Sequence, residues 1–316
     1  MTTETLLVPC PFPDRSHPGG SAAAEYARAV GAEVGLTGVA GATVLNGIAL
    51  GEAAALIHPD TDQDRLQVAT LWTAFLVLFD DAWSDRLEFG GDWRRRVIEQ
   101  HATVREILGG RAAHAGDDPL IRLLGRILAD VERIDPGFDS SRLRAEIGHY
   151  LSATLWELDL RSRREIPDLA TYMVMRRVFS TMTVQLELDY FVDRLRLDEQ
   201  TRTHPIVRLV DGAVADYGCI ANDLYSLAAE RRAGIASNIV IVLEHEYGWD
   251  EPQAMAHARR MCERAVRIYQ DVSSRAADFG LRPDEDLRRY LRHYESLMSA
   301  AARWPARSAR YRSSGR

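Results

Sequence analysis

Apolar residues return at helical spacing along almost all of this 316-residue chain, and nowhere do they alternate convincingly at period two. That regularity predicts an all-α fold. Helices are expected near residues 21–33, 44–57, 62–86, 92–108, 118–133, 140–162, 167–197, 204–232, 236–247, 251–279 and 283–302. The breaks fall at Gly90-Gly91, Gly109-Gly110, residues 115–119, residues 135–137, Pro167, Pro205 and Arg282-Pro283. Residues 1–20 carry Pro9, Pro11, Pro13 and Pro18 and read as an extended arm. No Gly/Ser linker, composition shift or internal repeat divides the chain, so residues 1–316 read as a single domain.

Two groups of oxygen-bearing side chains stand out from this apolar pattern. Asn222, Asp223, Ser226 and Glu230 lie in one stretch, ADYGCIANDLYSLAAE, and together suggest a divalent-metal site. Asn222, Ser226 and Glu230 recur at i, i+4 and i+8, which puts them on one helical face over roughly 12 Å of axis. An amide oxygen, a hydroxyl and a carboxylate are hard ligands, suited to Mg²⁺ and poorly suited to zinc or copper. Asn occurs only at positions 46, 222 and 238, which makes its place in this row less accidental. The second group, Asp80, Asp81 and Asp85 in FDDAWSD, ends the apolar run LWTAFLVLF. The run itself reads as a helix buried on all sides. Its end in three neighbouring carboxylates fits either a solvated terminus or a site where cations intervene.

Composition excludes several other classes. The mildly acidic balance, −7 overall, argues against a general nucleic-acid binder. Every Lys/Arg position is Arg, so a phosphate would have to be held by Arg, Tyr or backbone groups. Cys10, Cys219 and Cys262 are widely spaced and odd in number, which fits a reducing cytoplasm rather than a disulfide framework. No basic-then-apolar leader and no 18-residue apolar run is visible, so neither a secretory signal nor a membrane span is expected.

With both motifs in place, the chain resembles the bacterial class I terpene synthases (terpene cyclases). FDDAWSD matches that family's first aspartate-rich motif, and NDLYSLAAE matches every specified position of its second, Asn-Asp-x-x-Ser-x-x-x-Glu. Further likeness runs along the chain. VPCPFPDRSHPG is similar to the proline-bearing N-terminal arm, and HPDTDQDRLQVATLW to the lead into the metal helix. MVMRRVFS stands where the family carries a diphosphate-sensing Arg, which singles out Arg176, and WPARSARY resembles the C-terminal segment whose Arg-Tyr pair binds diphosphate. Two positions depart from the pattern: Ala229 stands where a Lys is common, and Phe179 where the residue is usually small or polar.

The resemblance implies a helical bundle of the class I terpenoid synthase type around a central apolar cavity, with residues 303–316 a flexible C-terminal segment. It implies three Mg²⁺ ions, with Asp81 leading the first motif beside Asp80 and Asp85, and Asn222, Ser226 and Glu230 chelating from the second. Arg176, Arg310 and Tyr311 would bind diphosphate, and Phe75, Phe79, Phe179, Trp156 and Trp304 would form the cavity wall. Arg177 is expected to be a surface or ion-pair residue beside the sensor, and Arg231 and Arg232 are the candidates to replace the Lys. The expected activity is Mg²⁺-dependent ionisation and cyclisation of a linear isoprenyl diphosphate with release of inorganic diphosphate. Farnesyl diphosphate is favoured over geranylgeranyl diphosphate. A prenyltransferase, a phosphohydrolase and a non-catalytic helical metal-binding relative are the competing readings, and a homodimer is left open.

Overall fold

Short polar side chains at the helix starts set much of the architecture. Asp118, Asp168, Asn238, Asp250 and Asp284 each accept a hydrogen bond from a backbone N–H in the first turn that follows them. Proline opens three of the helices, where its missing N–H costs nothing. Gly234 and Gly248 each close a helix in the left-handed conformation that a residue with a Cβ disfavours. The structure is a computed structural model, and it describes residues 6–36, 49–79 and 93–308.

Twelve helices are described: α1 Gly20–Glu33, α2 Leu50–Ile57, α3 Gln63–Phe79, α4 Trp93–Leu108, α5 Pro119–Ile134, α6 Ser141–Arg163, α7 Leu169–Phe179, α8 Met182–Val192, α9 Pro205–Ala233, α10 Ile239–Tyr247, α11 Glu251–Arg275 and α12 Glu285–Arg307. A single turn at Glu199–Arg202 and a 3₁₀ turn at Ala276–Phe279 complete the set, and no strand occurs among the described residues. None of these helices is long and apolar enough to cross a membrane. The expected all-α bundle is therefore present.

Two apolar cores organise the bundle. One gathers around α3, with Leu66, Leu71, Trp72, Phe75 and Phe79 packed against α1, α5 and α6. The other gathers around α9, which lies against α11 and α12. The described part of the N-terminal arm, from Leu6, leads into α1 at Gly20 and is strapped across the second core. Val8 and Phe12 are buried in it, Tyr217 Oη donates to the Pro9 carbonyl at 2.8 Å, and Arg303 Nη2 donates to the Phe12 carbonyl at 2.8 Å.

Three boundaries differ most from expectation. Residues 167–197 form two helices, broken at Ser180-Thr181, where Thr181 adopts φ 64° without any Gly or Pro to announce it. The helix expected over 251–279 stops at Arg275 and tightens into the 3₁₀ turn. The last helix runs five residues beyond 302, through Pro305 to Arg307, because Arg303 and Arg307 are caught by Phe12 and Asp14 of the arm.

Candidate functional site

α9 carries Asn222, Ser226 and Glu230 on one face, and all three line a cavity of about 480 Å³. The opposite walls come from Ile57 on α2, Thr73, Leu76 and Val77 on α3, Phe179 at the end of α7, Met182 on α8, and Leu297, Trp304 and Pro305 on α12. Hard oxygen donors thus stand beside a largely apolar space. Asp80, Asp81 and Asp85 lie outside the described residues, as do Arg310 and Tyr311.

Arg176 is buried on α7 and reaches across to α9. Its Nη2 donates to Asn222 Oδ1 at 2.8 Å and to Asp223 Oδ1 at 2.6 Å, and its Nε donates to the same Asp223 oxygen at 2.9 Å. Nη1 has no hydrogen bond among the described residues, and Arg176 lines the cavity. The Phe179 ring lies 4.9 Å from the guanidinium carbon, a cation–π distance. Burial opposes the Arg176 charge, yet Asp223 beside it holds the guanidinium well above its usual range.

Asp223 belongs to the motif but not to the oxygen row, which corrects the reading of all four residues as one site. One residue on from Asn222, it is turned about 100° around the helix and points into protein. There it accepts from Arg176, from the Tyr172 hydroxyl and from the Ile239 backbone N–H, the last at 2.9 Å. Asp223 therefore anchors Arg176 rather than facing the cavity.

Glu230 is partly buried. Burial, followed by the nearby Asp223 charge, raises its carboxyl to about 7. Asn238 Nδ2 donates to Glu230 Oε2 at 2.7 Å and to the Asp223 carbonyl at 2.8 Å, while Asn238 Oδ1 caps α10. Sequence reasoning missed Asn238, although the scarcity of Asn that marked position 222 marks 238 equally. Ser226 Oγ bonds back to the Asn222 carbonyl at 2.9 Å. The donor set of amide oxygen, hydroxyl and carboxylate fits a hard divalent cation such as Mg²⁺.

The aromatic wall is only partly as expected. Phe179 and Trp304 line the cavity, and Trp156 stands behind Phe179 with ring centroids 6.1 Å apart. Phe75 and Phe79 do not line it: Phe75 stacks on Trp72, and Phe79 packs against His101 and Tyr150 in the first core. The turn of α3 gives the cavity Thr73, Leu76 and Val77 instead. Arg177 pairs with Asp216, Nε to Oδ1 at 2.6 Å, as expected of an ion-pair residue. Both candidates to stand in for a Lys at Ala229 are engaged elsewhere. Arg231 is bound to Glu244 at 2.6 Å, Arg232 bonds the Ala228 carbonyl at 3.0 Å, and neither lines the cavity.

Comparison with known proteins agrees with this geometry. Residues 71–268 match the model of terpene synthase family 2, C-terminal metal binding. A terpentetriene synthase of Kitasatospora griseola is 33% identical over 82% of this chain and 84% of its own length. The (+)-T-muurolol synthase ((2E,6E)-farnesyl diphosphate cyclizing) of Roseiflexus castenholzii is 26% identical over 83% of this chain and 79% of its own. The crystal structure of linalool/nerolidol synthase from Streptomyces clavuligerus in complex with 2-fluorogeranyl diphosphate shares the fold, with a TM-score of 0.80 at 19% identity over 96% of this chain and 99% of that one. On its sequence and its helical architecture alike, the chain belongs to terpene synthase family 2.

Proposed function

We propose that the chain is a single catalytic domain that ionises and cyclises a linear isoprenyl diphosphate, releasing inorganic diphosphate. The observation that carries this reading is the cavity itself, in which Asn222, Ser226, Glu230 and Arg176 share one apolar space with Phe179 and Trp304. Asn222, Ser226 and Glu230 would hold Mg²⁺ together with Asp81, Asp80 and Asp85, three ions in all. Bound Mg²⁺ supplies electrostatic stabilisation to a departing diphosphate.

The chain's own residues divide the remaining work. Arg176, fixed by Asp223 and Asn222, offers Nη1 to a diphosphate oxygen as a charge-assisted donor. Arg310 and Tyr311 would close on the same group. The apolar walls exclude water, which would otherwise quench a carbocation, and the Phe179 and Trp304 faces stabilise positive charge. Farnesyl diphosphate is the favoured substrate, a choice supported by the relative whose name states that it cyclises this diphosphate. The three unpaired cysteines suit a cytoplasmic setting.

Incubation with geranyl, farnesyl and geranylgeranyl diphosphate in Mg²⁺, followed by gas chromatography–mass spectrometry, tests both levels of the proposal. A cyclic hydrocarbon or alcohol from the C15 substrate, together with inorganic diphosphate, is the expected outcome. Cyclisation of the C20 substrate alone would move the substrate assignment to a diterpene synthase. Monophosphate release with an unrearranged alcohol would reject cyclisation altogether.

A further inference from the structure

Away from the cavity, two carboxylates and two imidazoles converge from three parts of the chain. His58 ends α2, Asp189 and Asp193 stand one turn apart at the end of α8, and His293 lies on α12. His58 Nδ1 is 2.5 Å from Asp193 Oδ2, and His58 Nε2 is 3.9 Å from Asp189 Oδ1. His293 Nε2 is 2.7 Å from Asp189 Oδ2, and His293 Nδ1 is 3.1 Å from Asp193 Oδ2. The side chains of His58, Asp189, Asp193 and His293 are 1%, 0%, 9% and 3% exposed. One ligand atom from each lies within 4.8 Å of all the others.

This grouping demands a counter-charge. Two carboxylates so deeply placed are costly to bury unless paired or bound to a cation. The approaches of His293 do not repay that cost as hydrogen bonds: neither of its ring nitrogens, nor Asp189 Oδ2, has a partner of hydrogen-bonding geometry. Of the two imidazoles only His58 is hydrogen-bonded, through Nδ1 to Asp193 Oδ2 at 2.5 Å, and the close approach of His293 without a directed proton suits atoms arranged around a common centre.

We propose that His58, Asp189, Asp193 and His293 form a structural Zn²⁺ site, distinct from the Mg²⁺ site of the cavity. A mixed nitrogen and oxygen set of four suits tetrahedral Zn²⁺, whose bonds of roughly 2.0–2.2 Å place ligand atoms about 3.3–3.6 Å apart. Taking one ligand atom from each side chain, all four lie within 4.8 Å of one another, close enough for small side-chain shifts to bring them to that spacing. One divalent cation cancels both carboxylates. Gln185 Nε2 donates to Asp189 Oδ1 at 2.6 Å, the kind of outer hydrogen bond that orients a ligating carboxylate. A cavity of about 550 Å³, with Asp193 and His293 in its lining, gives an ion its way in. Of the arginines in that lining, Arg15 and Arg194 are already paired, with Asp60 and Asp62.

The consequence is mechanical. The ion would pin α2, α8 and α12 together, and each of these helices also supplies wall to the cyclisation cavity through Ile57, Met182 and Trp304. The site would set the shape of that cavity without touching substrate.

The test uses the whole protein and a readout other than turnover. After removal of metals with a chelator, Co²⁺ alone should give the visible absorption of a tetrahedral site at one equivalent. Zn²⁺ should displace it and raise the unfolding midpoint with concentration. His58→Gln and His293→Asn should each weaken Zn²⁺ binding by more than the roughly 10–100-fold that follows loss of an outer hydrogen-bond partner. Asn222→Ala should leave the Co²⁺ spectrum intact, which separates this site from that of the cavity. Absence of a Co²⁺ band in the unaltered protein, or an unfolding midpoint indifferent to Zn²⁺, would overturn the proposal and assign the neutralising charge to two imidazolium protons. A band that survives in both His variants would overturn it equally.

Discussion

Arg176 Nη2 donates to Asn222 Oδ1 across 2.8 Å, so the proposed diphosphate sensor and a proposed metal ligand share one hydrogen bond. The amide oxygen has a second lone pair and can accept from Arg while ligating a cation. The two roles are therefore coupled from the start, and the guanidinium fork is what permits it.

Arg176→Lys is accordingly expected to lose most of its turnover although charge is conserved. Loss of a charge-assisted hydrogen bond costs about 1.5–3 kcal/mol, or roughly 10–100-fold in rate if realised in the transition state. Arg177→Lys, at a residue committed to Asp216, should retain near-normal kcat. Steady-state kinetics on the pair decides the matter, and equal losses would remove the sensor role from Arg176.

Glu230→Gln should stabilise the metal-free protein at alkaline pH while abolishing turnover. The Glu230 carboxyl is raised from its ordinary value to about 7, so the stability it contributes is complete below about 4.5 and lost as pH rises through about 7. A neutral amide escapes that loss, worth roughly 1–2 kcal/mol for a partly exposed group. Thermal unfolding in chelator at pH 4 and pH 8.5 should show a gain for the variant only at the higher pH.

The same carboxyl governs metal binding. Protonated Glu230 cannot ligate a cation, so Mg²⁺ affinity should rise with pH through about 7 and level off above it. Calorimetric titration with Mg²⁺ and inorganic diphosphate across this window measures the effect. An affinity that is flat between pH 6 and 8 would exclude Glu230 as a ligand.

Asn238→Asp and Asn238→Ala should separate two tasks of one side chain. Asp keeps the cap on α10 but replaces the donor to Glu230 and to the Asp223 carbonyl with a buried negative charge, so the metal-free protein should unfold more easily at neutral pH and recover with Mg²⁺. Ala removes the cap and the donor without adding charge, and should cost ~1 kcal/mol or more at any pH with no such recovery. If both variants bind Mg²⁺ normally, Asn238 is only a helix cap.

Chelation should abolish turnover and leave the far-ultraviolet circular dichroism helical, because the cavity oxygens are not what holds α9 in the bundle. Activity that persists at full rate in chelator would dispose of the Mg²⁺ reading.

Much of the bundle was legible because its punctuation is local. Asp118-Pro119 and Asp250 with its Gln253 box announce helix starts through chemistry confined to a few residues. The oxygen row of Asn222, Ser226 and Glu230 was legible for the same reason, since helical spacing alone puts it on one face. Thr181 was not, because its left-handed conformation is imposed by packing and no Gly or Pro marks it. The orientation of α3 was also hidden. A helix apolar all round gives no sign of which turn faces a cavity, so Phe75 and Phe79 were expected where Thr73, Leu76 and Val77 stand. Asp223 and the four residues about His58 depend on partners far along the chain, which periodicity does not reach.

The strap across the second core ties the order of folding to the order of synthesis. Phe12 is held by Arg303, 291 positions later, and Pro13 by Ser299, 286 positions later. Loops of that length close last, after the local helix pairs have already formed. A nascent chain emerging N-terminus first can dock its arm on Tyr217 of α9 and Tyr269 of α11, but the strap is fastened only when α12 follows. The wall that α12 gives the cavity is completed by the same late event. A ribosome-bound intermediate lacking α12 should hold most of its helices and still have no closed chamber.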